Sequence, residues 1–537
     1  MIHIIISSMK AFFYPLIRGQ KQNLRGRLAI CLMIAGISLC SCNDFLEVSP
    51  NHVASESRQW NKLEDVRASL MGIYGLTRAA VAENCTHWIC GDLRLGDFSV
   101  HNRSDLLAAV NNEMAKTYPS LTGISNWRRF YAAINAAAVF IENAPQVVGN
   151  DKAYSDANLR MDIAQAKAVR AFLYFYMARL WGDVPLITES YDNGSFPLME
   201  RTDKTTVINY ARGELLEAIA GLPYLYGSSS NLYYGNSESY WRGMLFNKLS
   251  AYAILAHIAA WEGNYADTET HCAFILDNIT RLGGSSTPLA IASLVSPEGL
   301  FGDPVRSPAE IDGRRIIGLT ASFSDKEATQ TGHIEELTLA NPLVQKAYPD
   351  IYLTKEKLFA IFGDLADLRF GFDTIDYKYS TNYIYDMNAD YPMFGKIKVV
   401  QNGIAADGDY AVFGSTLVFT RMEEIALLRA EALTALNRGQ EAIAFLNLIR
   451  TSRGLRSLSL RNDFDYDNDL LMNAVFDERR KELMGEGWYW FDRIRKQKLL
   501  RDDPQFADLI NNGGVYLPVA KDVIDRNPLI KQNEYWK

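Results

Sequence analysis

A disulfide framework, catalytic histidine pairs and nucleotide loops are what this 537-residue chain lacks most visibly. Cysteine occurs six times. That is too sparse for a disulfide framework, and a chain this long buries enough surface to fold without staples. Histidine occurs seven times and never as His-x-x-x-His, and the chain has no Gly-x-Ser-x-Gly, no Walker loop and no Gly-x-Gly-x-x-Gly. The zincin, serine-hydrolase, nucleotide and dinucleotide signatures are therefore missing. No apolar run reaches the ~20 residues of a membrane span, and there is no low-complexity tract. Basic excess is absent too: the formal net charge is −8, which disfavours nonspecific binding to nucleic acid or anionic lipid. Aromatics, in contrast, are plentiful, with 28 Tyr, 25 Phe and 9 Trp. They fill cores first, but a surplus also suits a surface that stacks on ligands.

The first 41 residues carry five basic side chains and no acidic one. Lys21, Arg25 and Arg27 precede the apolar run from Leu28 to Leu39, which gives way to Cys40-Ser41-Cys42. Basic, then apolar, then small is the layout of a secretory signal. Translation could start at Met1 or Met9 without altering this. The tetrad Leu39-Cys40-Ser41-Cys42 resembles a bacterial lipobox, which makes Cys42 the expected lipidation site, mature N-terminus and membrane anchor. Removal of the leader would take the net charge from −8 to −13. Cys85, Cys90 and Cys272 then remain, and a Cys85–Cys90 bridge and two separate thiols are equally compatible with an oxidising compartment.

Past the signal, amphipathic helices are expected at Leu63–Ala80, Ile124–Asn143, Ile163–Trp181, Thr206–Leu222, Arg242–Trp261 and Ala266–Ile279. The third is too dense in Ala, Phe, Tyr and Leu for a one-sided surface helix, and Gly182-Asp183-Val184-Pro185 stops it. From Leu282 to about Ser415, Gly, Ser, Pro, Asp and Tyr interrupt every periodic stretch. Only Glu356–Phe362 reads as helical there, among short strands and turns. Helices resume at Arg421–Asn437, with Thr420 as the expected cap, and at Gln440–Ser452. The fold class is mainly α: tetratricopeptide-like helix pairs with an irregular, loop-rich subdomain carrying short strands.

Several motifs stand in a particular order. The mature start is Cys42-Asn43-Asp44-Phe45-Leu46, and Val169-Arg170-Ala171-Phe172-Leu173-Tyr174-Phe175 is followed by Leu180-Trp181-Gly182-Asp183-Val184-Pro185. Then come Asp367-Leu368-Arg369, Glu478-Arg479-Arg480-Lys481-Glu482-Leu483, and Gly485-Glu486-Gly487-Trp488-Tyr489-Trp490-Phe491-Asp492. Tyr516-Leu517-Pro518, Ile524-Asp525-Arg526-Asn527-Pro528 and Lys531-Gln532-Asn533 close the chain. This series, spanning the whole mature chain, resembles the SusD/RagB family of Bacteroidetes outer-membrane lipoproteins. The resemblance implies four tetratricopeptide-like helix pairs with an irregular subdomain laid over them. It also implies a non-enzymatic protein, lipid-anchored at the outer membrane and facing outward. Such proteins capture an oligosaccharide or other small nutrient and deliver it to a SusC-like TonB-dependent transporter. The corresponding regions are 1–41 (signal peptide), 42–281 (N-terminal helical region), 282–415 (irregular ligand-facing region) and 416–537 (C-terminal helical region).

Glu478 to Glu482 mix signs on a helix and read as a structural ion-pair network beside buried Trp488, Trp490 and Phe491, rather than as an anion site. For a glycan site, exposed aromatics are needed beside hydrogen-bonding side chains. Two stretches qualify. The first holds His87, Trp88, Asp92, Arg94, Asp97 and Phe98; the second is the run Tyr377, Tyr379, Asn382, Tyr383, Tyr385 and Tyr391. Trp88, Asp92, Arg94, Tyr377, Tyr379, Tyr383 and Tyr385 are the expected ligand contacts. Alternation would put each tyrosine pair on one face of a strand, where cross-strand packing is the competing use. No catalytic residue, metal ligand or cofactor is expected, and Asp463 to Asp469 lack the full pattern of a calcium loop. The competing functional classes are a lipid-anchored glycoside hydrolase, whose carboxylate pair leaves no sequence signature, and a helical-repeat scaffold.

Overall fold

The computed structural model describes residues 59–537 except 192–196, 284–296, 303–313, 324–325, 374, 380 and 404–409. The expected signal peptide and Cys42 lie outside the described residues. Ten longer helices carry the architecture: α1 (Leu63–Ala82), α2 (Arg128–Asn143), α3 (Asp156–Trp181), α4 (Lys204–Ala218), α5 (Lys248–Glu262), α6 (Tyr265–Asn278), α7 (Met422–Ala435), α8 (Gly439–Ser452), α9 (Asn468–Glu482) and α10 (Tyr489–Leu500). Each of the first eight packs on the next, and α9 packs on α7 and α10. The result is a tetratricopeptide-like stack in which neighbours cover one another's apolar faces.

Helix ends follow local side-chain chemistry. In α1 the buried positions Val66, Leu70, Ile73, Thr77, Ala80 and Val81 repeat at helical spacing. The helix expected from Ile124 instead breaks at Ser125-Asn126-Trp127, because the Asn126 side chain accepts the Arg128 N–H at 3.0 Å and starts α2 afresh. Helix α3 begins earlier than its apolar run implies, where Ser155 accepts the Asn158 N–H at 3.2 Å. From Ala168 to Trp181 every residue of α3 is buried, so the helix is covered all round. Helix α5 starts at Lys248 rather than Arg242, since Asn247 and Ser250 cap each other there. Thr420 is not the cap of α7: it lies in a strand, and its hydroxyl donates to Glu424 at 2.6 Å.

Helices α6 and α7 touch although residues 279–421 separate them. That segment leaves the stack and returns to it through two buried antiparallel strands, β1 (Arg315–Leu319) and β2 (Leu417–Arg421), with Leu319 opposite Leu417 and Arg315 opposite Arg421. Between them lie two-residue strand pairs and two short helices: Ile334–Thr338, where no helix was expected, and Lys355–Ile361, whose first turn Thr354 caps.

Buried charge fastens this irregular region to the stack. Glu482, at the end of α9, accepts from Arg369 at 3.1 Å, Arg421 at 3.0 Å and Arg453 at 2.6 Å. Arg369 also grips Asp367 at 2.8 Å and Glu478 at 2.8 Å, and Lys396 pairs with Glu486. Burial alone would raise the Glu482 carboxyl. Arg453, Arg421 and Arg369 outweigh that and hold it well below the usual carboxylate range. Arg479 is likewise spent inside, on Asp492 at 2.7 Å and Glu424 at 2.9 Å. The acidic and basic motif of α9 is scaffold.

Candidate functional site

The two stretches that looked suited to sugar fare differently. Trp88 is 2% exposed and packs beside His87 and His333. Asp92 is buried and accepts the Gly487 N–H at 2.6 Å. Arg94 is fully buried, donating to Asn112 at 2.7 Å and to the Val515 carbonyl at 2.9 Å, with its guanidinium 4.0 Å over the Trp490 ring. Phe98 is buried edge-on against Phe394, and Asp97 pairs with Arg480 at 2.7 Å. These residues therefore do not form the ligand surface expected of them. Gly487, Val515 and Arg480 from the C-terminal region, and Asn112, give their polar atoms partners that offset part of the cost of burial. Cys85 and Cys90 are separate buried thiols.

The fit between these parts explains the glycine of the C-terminal signature. The residues from Ile89 to Leu93 form a π-helical turn that lies against Gly485-Glu486-Gly487. A Cβ on Gly91 would stand 2.2 Å from the Gly487 carbonyl oxygen, and Gly487 itself has φ +80° with His87 in the way of any side chain.

The tyrosine run divides as well. Tyr383 is buried, with the Lys396 ammonium 5.2 Å over its ring, so it cannot serve as an open ligand contact. Tyr377 is 80% exposed but sits in the turn between Phe372–Asp373 and Lys378–Tyr379 at positive φ, not in a strand. Tyr379 leans on Phe372 and Phe370 and is half-buried; Tyr385 is half-buried opposite Met393. The expected alternation on one face therefore does not occur.

Instead a ring cluster gathers around Tyr391. His101 lies 4.4 Å from it, Tyr352 4.9 Å and Tyr348 5.3 Å, with ring planes inclined by 63°, 89° and 66°. Tyr348 is 54% exposed and the other three are partly exposed, so the cluster meets solvent. Its backbone is well held. Ser99–Val100 pairs antiparallel with Ile351–Tyr352, and the His101 N–H donates to the Asp350 carbonyl at 2.8 Å. The Asp350 carboxylate takes Arg103 at 3.0 Å and Lys346 at 2.9 Å. Tyr391 itself is presented by the loop between Ile384–Tyr385 and Met393–Phe394, a strand pair anchored where the Tyr383 N–H donates to the Arg369 carbonyl. Asn102, Lys355 and Asn388 supply exposed polar groups nearby, Asn102 at 2.9 Å from the His101 ring and Lys355 donating to the Asn388 carbonyl. Inclined rings at a solvent face, rimmed by amide, ammonium and guanidinium groups, offer apolar faces and hydrogen bonds together.

Of these four rings the sequence singled out only Tyr391. His101, Tyr348 and Tyr352 come from separate segments with no shared period, and the strand pair that joins them is two residues long.

Comparison with known proteins places the fold. A SusD family model matches residues 367–536, and a model described as starch-binding associating with outer membrane matches residues 44–259. A solved SusD superfamily protein of Bacteroides thetaiotaomicron VPI-5482 is 55% identical, with a TM-score of 0.81 over 89% of this chain and 100% of that one. The chain belongs to the SusD superfamily. A SusD homolog from the same organism, 20% identical over 89% of this chain and 99% of its own, shares the fold with a TM-score of 0.68. A SusD-like protein of Formosa agariphila is 25% identical over 92% of this chain and 96% of its own length. The motifs that suggested SusD/RagB kinship, from Arg369 to Asp492, are the buried joints of the SusD fold described above.

Proposed function

We propose that this chain is a non-enzymatic, glycan-binding surface lipoprotein that captures an oligosaccharide and passes it to a SusC-like TonB-dependent transporter of the outer membrane. The observation that carries the ligand class is the solvent-facing ring cluster of His101, Tyr348, Tyr352 and Tyr391 with polar groups at its rim. The starch-binding, outer-membrane description of the model matching residues 44–259 supports both ligand and address. In this reading Cys42 is the lipid anchor, residues 282–415 form the ligand-facing region with His101 added from the N-terminal half, and Tyr377, Tyr379 and Tyr385 extend that face.

Isothermal titration of residues 43–537 against a panel of oligosaccharides tests the proposal. Binding without release of reducing sugar is expected. The double variant Tyr348→Ala/Tyr391→Ala should weaken binding by about tenfold or more, since one stacked ring contributes on the order of 1 kcal/mol, and should melt like the parent. Turnover would make the protein a hydrolase, and binding to nothing on the panel would favour a scaffold.

A further inference from the structure

A cleft of about 610 Å³, open to solvent, lies between the end of α9, α10 and the following short helix Pro504–Asn511. Its size is that of a small-ligand site, and nothing in the capture of an oligosaccharide by the tyrosine cluster uses it. Its apolar wall comes from Phe476, Leu483, Met484, Tyr489 and Phe506. The rings are fixed in place: the Arg493 guanidinium lies 4.1 Å over Phe506, and that of Arg480 5.8 Å over Tyr489. At one side the buried Asp92 carboxyl borders the cavity, with the Gly487 N–H satisfying one of its oxygens. The Gln505 amide, which also lines the cavity, supplies a donor and an acceptor for a ligand's hydroxyls.

The charges around the cavity select among ligands. Arg480 is paired with Asp97 at 2.7 Å, Arg493 with Asp503 at 3.0 Å, Lys496 with Asp502 at 3.7 Å, and Arg479 with Asp492 and Glu424. Each cation of the wall already faces a carboxylate, so an anionic ligand would have to displace an existing pair. A neutral molecule with apolar C–H faces and several hydroxyls meets the rings and the polar groups at once, without breaking any pair. We infer that this cavity is a second carbohydrate site, separate from the ring cluster, which takes a neutral mono- or disaccharide unit.

The two sites are close along the chain. Asp97, which braces Arg480 at the cavity wall, and His101 of the ring cluster are four residues apart, at most about 14 Å of extended chain. Occupation of both by one glycan would raise its effective affinity without any new contact at either.

The inference borrows its ligand class from the glycan-binding reading but not its location, so the test separates them. Residues 43–537 are titrated with maltose, cellobiose, lactose and the corresponding monosaccharides, using three forms besides the parent: Tyr348→Ala/Tyr391→Ala, Tyr489→Ala, and Gln505→Trp, which fills the cavity mouth from an exposed position. The parent should bind at least one of these sugars, and the ring-cluster variant, which has lost the other site, should still bind it measurably. Tyr489→Ala and Gln505→Trp should each lose about tenfold or more, with Gln505→Trp melting like the parent. Loss of small-sugar binding in the ring-cluster variant overturns the inference, as does unchanged affinity in Gln505→Trp or no binding of any of these sugars to the parent. If longer oligosaccharides still bind in that last case, only the cavity site fails. If they do not, the glycan-binding reading fails with it.

Discussion

Asp92 shows how a single side chain can look like a ligand contact and act as a joint. Burial pushes its carboxyl up, and the Gly487 N–H and Lys396 recover only part of that, leaving it at about 7. The folded chain therefore holds a proton there that the unfolded chain, at the ordinary value of 3.8, has already released. Across that window, stability falls as pH rises. Glu335, raised to about 7, and Asp162, raised to about 6, act in the same direction. Asp92→Asn keeps an acceptor for Gly487 and removes one titration. Melting temperature measured between about pH 4 and pH 7.5 should fall less steeply in the variant than in the parent. Identical slopes would show that Asp92 does not carry this proton. His101, Tyr348 and Tyr352 make the opposite point, since nothing in their own neighbourhoods of sequence marks them as parts of a site.

At the scale of the element, α9 draws its stability from what lies across it rather than from its own propensity. Its last turn places Glu482 among three arginines that come from the irregular region, the start of α7 and the end of α8. Removal of one member of such a buried cluster leaves uncompensated charge and costs about 3–5 kcal/mol. Glu482→Gln should therefore lower the denaturation midpoint in urea far more than Glu441→Gln, whose exposed pair with Arg438 is worth about 0–1 kcal/mol. Equal shifts would remove the cluster from its structural role. The same element scale explains the glycines of this joint: a Cβ on Gly91 would strike the Gly487 carbonyl, one on Gly485 the Phe394 ring and one on Gly487 the His87 ring, and both signature glycines sit at positive φ.

At the scale of the molecule, the chain is a helical stack interrupted once, and the interruption reaches back to meet the N-terminal half at Ser99–Val100. Among the described residues no helix is long and apolar enough to cross a membrane; in the proposed reading Cys42 supplies the anchor. Cys42→Ala should move the full-length protein from the membrane pellet to the soluble fraction of disrupted cells. Retention in the pellet with unchanged amount would mean that something other than the acyl anchor holds it.

The helical stack was largely legible in the sequence. Its pattern is local, with apolar positions three and four residues apart in α1 and an unbroken apolar run in α3, and each helix needs only a neighbour to cover it. The errors at Ile124 and Arg242 came from polar caps, Asn126 and the Asn247–Ser250 pair, that outweigh apolar continuity. The proposed ligand face was not legible in this way. Trp88, Asp92 and Arg94 have the residue types of a sugar surface, yet Gly487, Val515 and Trp490, some 400 residues further on, close over them. The sequence alone determined most of the long helices of the stack, because periodicity is written within each segment. Only the tertiary structure decided which aromatics meet solvent, because exposure depends on partners that distant parts of the chain supply.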